Sequence, residues 1–313
     1  RGNFPMVNQL DREFSFGSLL GFALPSVIMM IFTALYTIVD GMFISRFVGE
    51  DALAAVNIVF PAICLVMAVG IMLATGGSAI VAHRMGAGDE EGARRGFTLL
   101  LLVALGVGVL FALAGIFASG GISRLLGATG RTEADCIAYL RTLLLFAPAY
   151  MLQLFFQSFF VTAGRPGLGL GLTVAAGLTN AVLDFLLIVP AGLGVVGAAL
   201  ATAAGYLVPA VCGVCFFAFR KRGLRLARPV WDGRMLLRAC SNGSSEMVSN
   251  LAGAVITFCF NFLMLRFLGE EGVAAITIVM YFQFVFSAVD LGFSMGVAPV
   301  ISYQYGAQDL PQL

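Results

Sequence analysis

Long apolar stretches dominate this chain of 313 residues and restrict it to a few fold classes. An α-helix needs about 20 mainly apolar residues to cross the hydrocarbon core of a bilayer, and stretches of that length recur along the sequence. Only 11% of the residues are charged, and the mean hydropathy is +0.97, so the chain lacks the polar surface of a water-soluble protein. The sequence therefore predicts an all-α polytopic membrane protein.

The polar connections between the apolar stretches divide the chain into about eight predicted transmembrane helices. They cover residues 16–39, 53–81, 97–119, 137–161, 168–189, 195–219, 244–267 and 273–300. With the amino terminus in the cytoplasm, 13 of the 18 basic residues fall in cytoplasmic segments, which favours this orientation by the positive-inside rule. The longest polar connection, residues 220–240, is basic and is predicted to be a cytoplasmic linker.

An internal repeat supports a division of the chain at this linker. Residues 46–89 align without a gap to residues 266–309, an offset of 309 − 89 = 220, with 14 of the 44 positions identical. Six predicted spans fit into that offset, so the halves are expected to be parallel repeats related by an axis along the membrane normal. We predict a six-helix lobe in residues 1–219, the linker in 220–240, and the first two helices of a second lobe in 241–313. A symmetric parent protein would have about four more helices, so we expect this chain to be a fragment.

Four carboxylates lie inside apolar stretches: Asp40, Asp184, Glu246 and Asp290. A charged side chain at the centre of a bilayer costs about 2.5–3.5 kcal/mol on insertion scales, so such residues usually face a cavity and serve an ion or substrate pathway. This pattern indicates ion-coupled transport. Two alternatives remain open: Asp40 could lie at the membrane interface, and Glu246 could cap a helix that starts behind Ser244.

Two polar patches have the spacing of one helix face. Asn180 and Asp184 are four residues apart, as are Tyr36 and Asp40. Carboxylate, amide and hydroxyl oxygens are suitable ligands for a small cation such as Na⁺. A proton is equally plausible, because burial disfavours a charged carboxylate and two neighbouring carboxylates resist joint ionisation. Pro25 deprives its helix of one backbone hydrogen bond, which gives a route to a conformational switch.

Several other classes of protein lack support in the sequence. The chain contains no GxxxxGK[ST] loop for ATP, and no HExxH or GxSxG motif of a hydrolase, so we predict neither an enzyme nor a bound cofactor. Cys212 and Cys215 form a CxxC without a second pair, and basic residues do not alternate with aromatic ones as in nucleic-acid binding. A channel remains an alternative, although duplicated halves favour alternating access.

Four segments of the chain, residues 21–56, 179–188, 194–202 and 241–251, resemble the MATE (multidrug and toxic compound extrusion) transporters, in particular their DinF/MepA-like branch. The resemblance implies an antiporter of a bacterial inner membrane that exports amphipathic, often cationic compounds by alternating access of two six-helix lobes. It implies coupling to Na⁺ or H⁺ at Asp40, Asn180, Asp184 and Thr202. It also implies a bending role for Pro25, a cavity position for Tyr36, and function as a monomer.

The expected cargo depends on the charge of the central cavity. Glu246 and Asp290 are candidates for cavity carboxylates that attract cationic drugs, and Met151, Phe155, Phe156 and Phe282 would suit an adaptable pocket. Lipid-linked oligosaccharide flippases of the same superfamily are the alternative by resemblance. They usually have a more basic cavity for anionic headgroups, whereas the predicted cavity here is acidic, which favours cationic cargo.

Overall fold

The computed structural model describes residue 10 and residues 14–308, without the side chains of residues 254, 257, 258, 261, 262, 264, 265, 268–278 and 281. Arg1, Arg12 and Asp309, which the orientation and repeat arguments used, lie outside the described residues, as do the side chains of 268–278 in the second repeat copy. The described chain folds into α1 (Phe16–Phe43), a π-helix (Ile44–Val48), α2 (Glu50–Gly86), α3 (Glu90–Leu125), α4 (Gly130–Leu145), α5 (Ala147–Thr162), α6 (Pro166–Ile188), α7 (Gly194–Phe219) and α8 (Gly233–Gly306).

Polar side chains cap the helices that begin outside the apolar stretches. Ser15 accepts a hydrogen bond from the backbone N–H of Ser18 at the start of α1, and Asp89 accepts one from Gly92 at 2.9 Å at the start of α3. Asp232 caps α8 by accepting from the N–H of Met235 at 3.0 Å. Each cap satisfies a backbone donor that has no partner within its own helix.

Six helices of the described part are long and apolar enough to cross a membrane, and α4 and α5 together can form a seventh crossing. The sequence predicted one straight helix over 137–161. The structure instead bends by 54° between α4 and α5, next to Pro148 in the first turn of α5. Proline is favoured in a first helical turn but supplies no backbone N–H, so the helix restarts here with a new direction.

The last helix, α8, must fold back on itself. A straight helix of its 74 residues would be about 110 Å long. Near its start, Ala239 and Gly243 contact Gly76 of α2, and near its end Tyr303 contacts Gly86 of the same helix, only about 15 Å further along α2. Both ends of α8 therefore lie on one side of the membrane, as expected for two predicted spans. Because α8 starts at Gly233, the non-helical linker is shorter than predicted and covers 220–232.

An aromatic cluster forms the core between α3, α5 and α7. Phe217 stacks on Phe156 and Phe160 and contacts Phe97 with ring centroids 4.7 Å apart. Met151, Phe155 and Phe156, which were predicted to suit a ligand pocket, are fully buried in this core. That prediction is wrong for these three side chains, because they face neighbouring helices; Phe282 is 65% exposed.

Helix α8 contacts α1 and α2 through glycines at which a methyl group would overlap the opposite backbone. Gly76 lies against the backbone of Ala239 and Gly243, and Gly296 lies against that of Ala23. Adding the 220-residue offset to Ala23 and Gly76 gives Gly243 and Gly296, so the two contacts are equivalent under the repeat. Likewise Gly86 contacts the backbone of Tyr303, and Gly306 contacts that of His83. The contact is thus self-complementary, like an interface across a two-fold axis.

Candidate functional site: a buried carboxyl pair

Helices α1, α6 and α7 bring together the four residues predicted to form a cation site. Asp184 is 0% exposed and Asn180 3% exposed on α6, and Thr202 is 9% exposed on α7. Asp40, near the end of α1, is half-buried. The interfacial alternative for Asp40 receives no support, because its carboxyl group faces another carboxyl group within the helix bundle.

Two glycines of the site region allow the three helices to approach closely. A methyl group at Gly177 of α6 would lie 2.6 Å from the ring of Phe32 and 3.1 Å from the ring of Tyr36, both on α1. A methyl group at Gly205 of α7 would lie 3.2 Å from the carbonyl oxygen of Ala176. Such small residues are common where membrane helices pack backbone to backbone. Their positions, one turn from Asn180 and Thr202, set the distance between the polar side chains.

The carboxyl groups of Asp40 and Asp184 adjoin each other across the contact of α1 with α6. Among the described residues, Oδ1 of Asp40 and both carboxylate oxygens of Asp184 are buried without a hydrogen-bond donor. Two ionised carboxylates in this position would repel each other and leave their desolvation uncompensated. The arrangement therefore suits a shared proton or a bound cation.

The neighbouring amide and hydroxyl groups hold one another in place. Nδ2 of Asn180 donates to Oγ1 of Thr202 at 3.4 Å, and Oγ1 of Thr202 donates to the carbonyl oxygen of Ala198 at 3.0 Å. This bond fixes the orientation of the Asn180 amide, whose carbonyl oxygen is an acceptor. The candidate ligands for a small cation in this site are therefore oxygen atoms. Within the described part of the chain, no group of three or more His, Cys, Asp or Glu residues could hold a metal ion.

Tyrosine and glutamine side chains surround the carboxyl pair, and the sequence analysis missed most of them. Tyr36 lies next to Gln153 of α5, which is 2% exposed. Tyr139 of α4 lies close enough to both carboxylates to be affected by their charge. Tyr150 and Tyr206 stack with ring centroids 4.4 Å apart. Gln153 could have been found, because a glutamine inside an apolar span needs a polar partner.

The end of α1 near Asp40 differs from a regular helix. The N–H of Ile44 is shared between the carbonyl oxygens of Asp40 and Gly41, and a π-helix follows directly. π-Helical turns often occur at functional sites. Pro25, the predicted switch residue, lies 15 residues earlier, about 22 Å along the helix axis, and α1 is continuous through it. Pro25 therefore does not contact the site, but it neighbours Ala23, which packs against α8.

The other two candidate carboxylates lie apart from the pair. Glu246 is 13 residues inside α8, so the interpretation that it caps a helix behind Ser244 is wrong; Asp232 occupies the cap position. Asp290 is exposed on α8. Gly292 packs on Val27 and Gly296 on Ala23, so α8 runs antiparallel to α1 here. Asp290 is therefore level with about residue 29 of α1, about 16 Å from Asp40 along the helix axis.

Comparison with known proteins identifies the family of this chain. The sequence profile of the MatE family matches residues 25–186 and 246–313, which include Asp40, Asn180 and Asp184. This chain belongs to the MatE family. The match begins at Pro25 and resumes at Glu246, so it leaves out α7 and the linker.

Relatives of this MatE family chain include exporters and solved transporter structures. The Multidrug export protein MepA of Staphylococcus saprophyticus is 26% identical over 299 residues, which cover 94% of this chain and 66% of the relative. The chain thus spans slightly under two thirds of that protein's length. A structure described as the outward-facing conformation of a multidrug resistance MATE family transporter superimposes with a TM-score of 0.91 at 25% identity, covering 100% of this chain and 70% of that one. A MOP superfamily transporter from Pyrococcus furiosus gives 0.89 at 26% identity, with coverage of 100% and 70%.

Proposed function

We propose that this MatE family chain acts in cation-coupled efflux of amphipathic, often cationic small molecules, with Asp40, Asn180, Asp184 and Thr202 as the coupling site. The observation that carries the proposal is the pair of adjoining carboxyl groups, three of whose four oxygens are buried without a donor in the described structure. The relationship to MepA, named as a multidrug export protein, supports the choice of cargo.

Loading of the carboxyl pair with Na⁺ or H⁺ supplies the energy in this proposal. A cation between Asp40 and Asp184 removes their mutual repulsion, so the loaded and unloaded states favour different distances between α1 and α6. An ion gradient can drive transport only if the ion has different affinities for the two transport conformations. Two carboxylates on different helices can satisfy that condition, because a movement of α1 relative to α6 changes their separation.

Helix α1 offers a path from the site to the second lobe. Asp40 lies near one end of α1, whereas Ala23 and Val27, on the other side of Pro25, pack against Gly296 and Gly292 of α8. A methyl group on Gly292 would lie only 2.6 Å from Cα of Val27, so the two backbones are in direct contact. A shift of α1 at the site would therefore change the contact with α8, and Pro25 is placed where α1 bends most easily.

We further propose that the chain divides into a lobe of residues 1–219, the linker, and a second lobe from residue 241 onwards. We propose that its amino terminus is cytoplasmic, that it lies in a bacterial plasma membrane, and that it functions as a monomer. The glycine contacts that are equivalent under the 220-residue offset support the two lobes. Their location near the ends of α2 and α8 and the start of α1 would close the cytoplasmic side. The similarity to an outward-facing structure agrees with this closure.

Transport by carboxyl-to-amide variants tests the proposed site. The complete gene product is reconstituted in vesicles, and efflux of a fluorescent lipophilic cation is measured with Na⁺ and pH gradients imposed separately. Asp40→Asn and Asp184→Asn should each abolish gradient-driven efflux, because one amide cannot replace the ionisable pair. Asp135→Asn, a control outside the pair, should retain it. Full transport by both pair variants would exclude the site.

The same assay tests the cargo and the coupling ion. Efflux driven by only one gradient identifies the ion. Asp290→Asn should weaken export of a cationic dye without abolishing coupling, if Asp290 lines a cavity. No movement of any cation under either gradient would favour a flippase for lipid-linked oligosaccharides over an exporter of cations.

A further inference from the structure

A basic surface lies where α7 ends and the chain turns back against α7 and α3. Its side chains come from the start of α6, the end of α7 and the linker: Arg165, Arg220, Lys221, Arg222, Arg225 and Arg228. In the described part of the chain, none of the six forms an ion pair with an acidic residue. By contrast, Arg84, Arg94, Arg95, Arg124 and Arg131 all have carboxylate partners.

Arg220 is the most constrained residue of this surface. Its Nη2 donates to the carbonyl oxygen of Ala163 at 3.3 Å, and its guanidinium lies 5.3 Å from the ring centroid of Phe216. Its Nη1 is buried without a hydrogen-bond partner among the described residues. Burial and the positive charge of Arg165 both lower the pKa of Arg220. An anion between the two guanidinium groups would supply the missing acceptor and compensate both charges.

The linker holds the basic residues in fixed positions. Arg94 donates to the carbonyl oxygen of Gly223 at 3.0 Å, and the N–H of Ala227 donates to Thr98 at 3.0 Å. Leu224 is only 2% exposed. Gly223 has a φ of +75°, a conformation that favours glycine, and its Cα faces the guanidinium of Arg220. The backbone of this surface is therefore ordered in the folded protein, so a ligand does not have to order it on binding.

Apolar side chains place this surface at the edge of the bilayer. Phe219 is 82% exposed directly before Arg220, and Trp231 is 77% exposed at the end of the linker. Large exposed aromatic residues are typical of the membrane–water interface. On α6, Leu168 is also exposed, one turn from Arg165. A ligand here would have its anionic group among the arginines and its apolar part along α6 and α7.

We propose that Arg165 and Arg220, flanked by the basic linker residues, bind the phosphate headgroup of an anionic phospholipid. Two guanidinium groups, one of them with an unused buried N–H, match the acceptor oxygens of a phosphodiester. The adjoining apolar helix surface accommodates the acyl chains, which a free phosphate lacks. This site is separate from the carboxyl pair, and its existence does not depend on the transport function proposed above.

Lipid retention by purified variants tests the proposal. The complete gene product is purified from mixed micelles with equal amounts of phosphatidylglycerol and phosphatidylcholine, and both co-purifying lipids are quantified by mass spectrometry. Removal of one interfacial positive charge should lower the retained phosphatidylglycerol about fivefold relative to phosphatidylcholine. We expect this loss for Arg165→Gln and Arg220→Gln, but not for Arg124→Gln or Arg131→Gln, whose arginines have acidic partners at the opposite ends of the helices.

Three results would overturn the proposal. The first is unchanged selectivity for phosphatidylglycerol in Arg165→Gln, which changes an exposed residue and should fold normally. The second is a full loss in the triple variant of Arg222, Arg225 and Arg228 while Arg165→Gln is unaffected, which would indicate diffuse surface charge. The third is displacement of the lipid by millimolar inorganic phosphate, which would identify a phosphate site without lipid selectivity. Arg220→Lys keeps the charge and controls for misfolding of Arg220→Gln.

Discussion

Replacing Gly86 or Gly306 by alanine should weaken the contact between α2 and α8. At each glycine, the added methyl group would overlap the backbone of the facing helix, around Tyr303 and His83 respectively. Backbone atoms cannot change rotamer to make room, so the helices must move apart. Because the two positions are equivalent under the repeat, both substitutions should have effects of similar size.

The expected magnitude follows from two opposing terms. Overpacking of a close contact typically costs about 1–3 kcal/mol. Alanine is favoured over glycine within a helix by up to about 1 kcal/mol, which partly offsets that cost. Gly106→Ala on α3 isolates the second term, because a methyl group at Gly106 has no atom within 4 Å. Relative to this control, the equilibrium constant for closing the contact between α2 and α8 should fall about 5- to 150-fold.

Hydrogen–deuterium exchange in detergent micelles measures this shift directly. Backbone amides of residues 76–87 and 300–307 should exchange faster in Gly86→Ala and Gly306→Ala than in Gly106→Ala, since separation of the helices exposes both segments. The double variant should add little to either single one, because one methyl group already separates the same crossing. Exchange at the control level in both single variants would refute the claim that these glycines close this side of the protein.

Two further predictions concern the cap of α8 and the approach of α1 to α6. The N–H of Met235 and the side chain of Arg84 hold the pKa of Asp232 below its ordinary value. The ionised Asp232 therefore stabilises the fold fully above the pKa of a free aspartate, about 3.9. This stabilisation is lost as the pH falls through the lower pKa of the folded state. Thermal unfolding in detergent should show Asp232→Ala about 1 kcal/mol less stable at neutral pH. Asp232→Asn should keep the cap but lose the stability change below about pH 4; an unchanged pH profile would contradict this account. Gly177→Ala should push Phe32 and Tyr36 away and lower efflux, although the proposed site residues are unchanged. Gly171→Ala on the same helix has open space around it and should transport normally. Equal transport by both variants would show that helix spacing at Gly177 does not matter.

The sequence alone predicted a feature where a residue type has few possible roles in its sequence context. Apolar stretches predicted the membrane helices, and carboxylates inside them predicted Asp40 and Asp184, because a buried charge needs a functional reason. The break at Phe146 and the buried positions of Phe155 and Phe156 were not predictable in this way. Proline occurs in several helices of this chain without ending them, and a phenylalanine faces a pocket, a core or lipid with the same local pattern.

The tertiary surroundings of the site required the structure. Gln153 and Tyr139 come from α5 and α4, far in sequence from Asp40, and no short-range spacing relates them to it. Glu246 and Asp290 show the converse case. They share with the site residues an apolar sequence context, but the direction of α8 places Asp290 about 16 Å from the level of Asp40.

The repeat explains why the chain combines a symmetric contact with an asymmetric site. The 220-residue offset relates Ala23 to Gly243 and Gly76 to Gly296, and all four remain small because each packs against a backbone. The same offset relates Asp40 to Phe260, which is 40% exposed, so the position equivalent to Asp40 carries no carboxylate. Packing on a two-fold axis constrains both copies at once, since each glycine contacts the other half. The proposed cation site shares no residue with this contact, so one copy could lose its carboxylate without disturbing the contact through which the two halves meet.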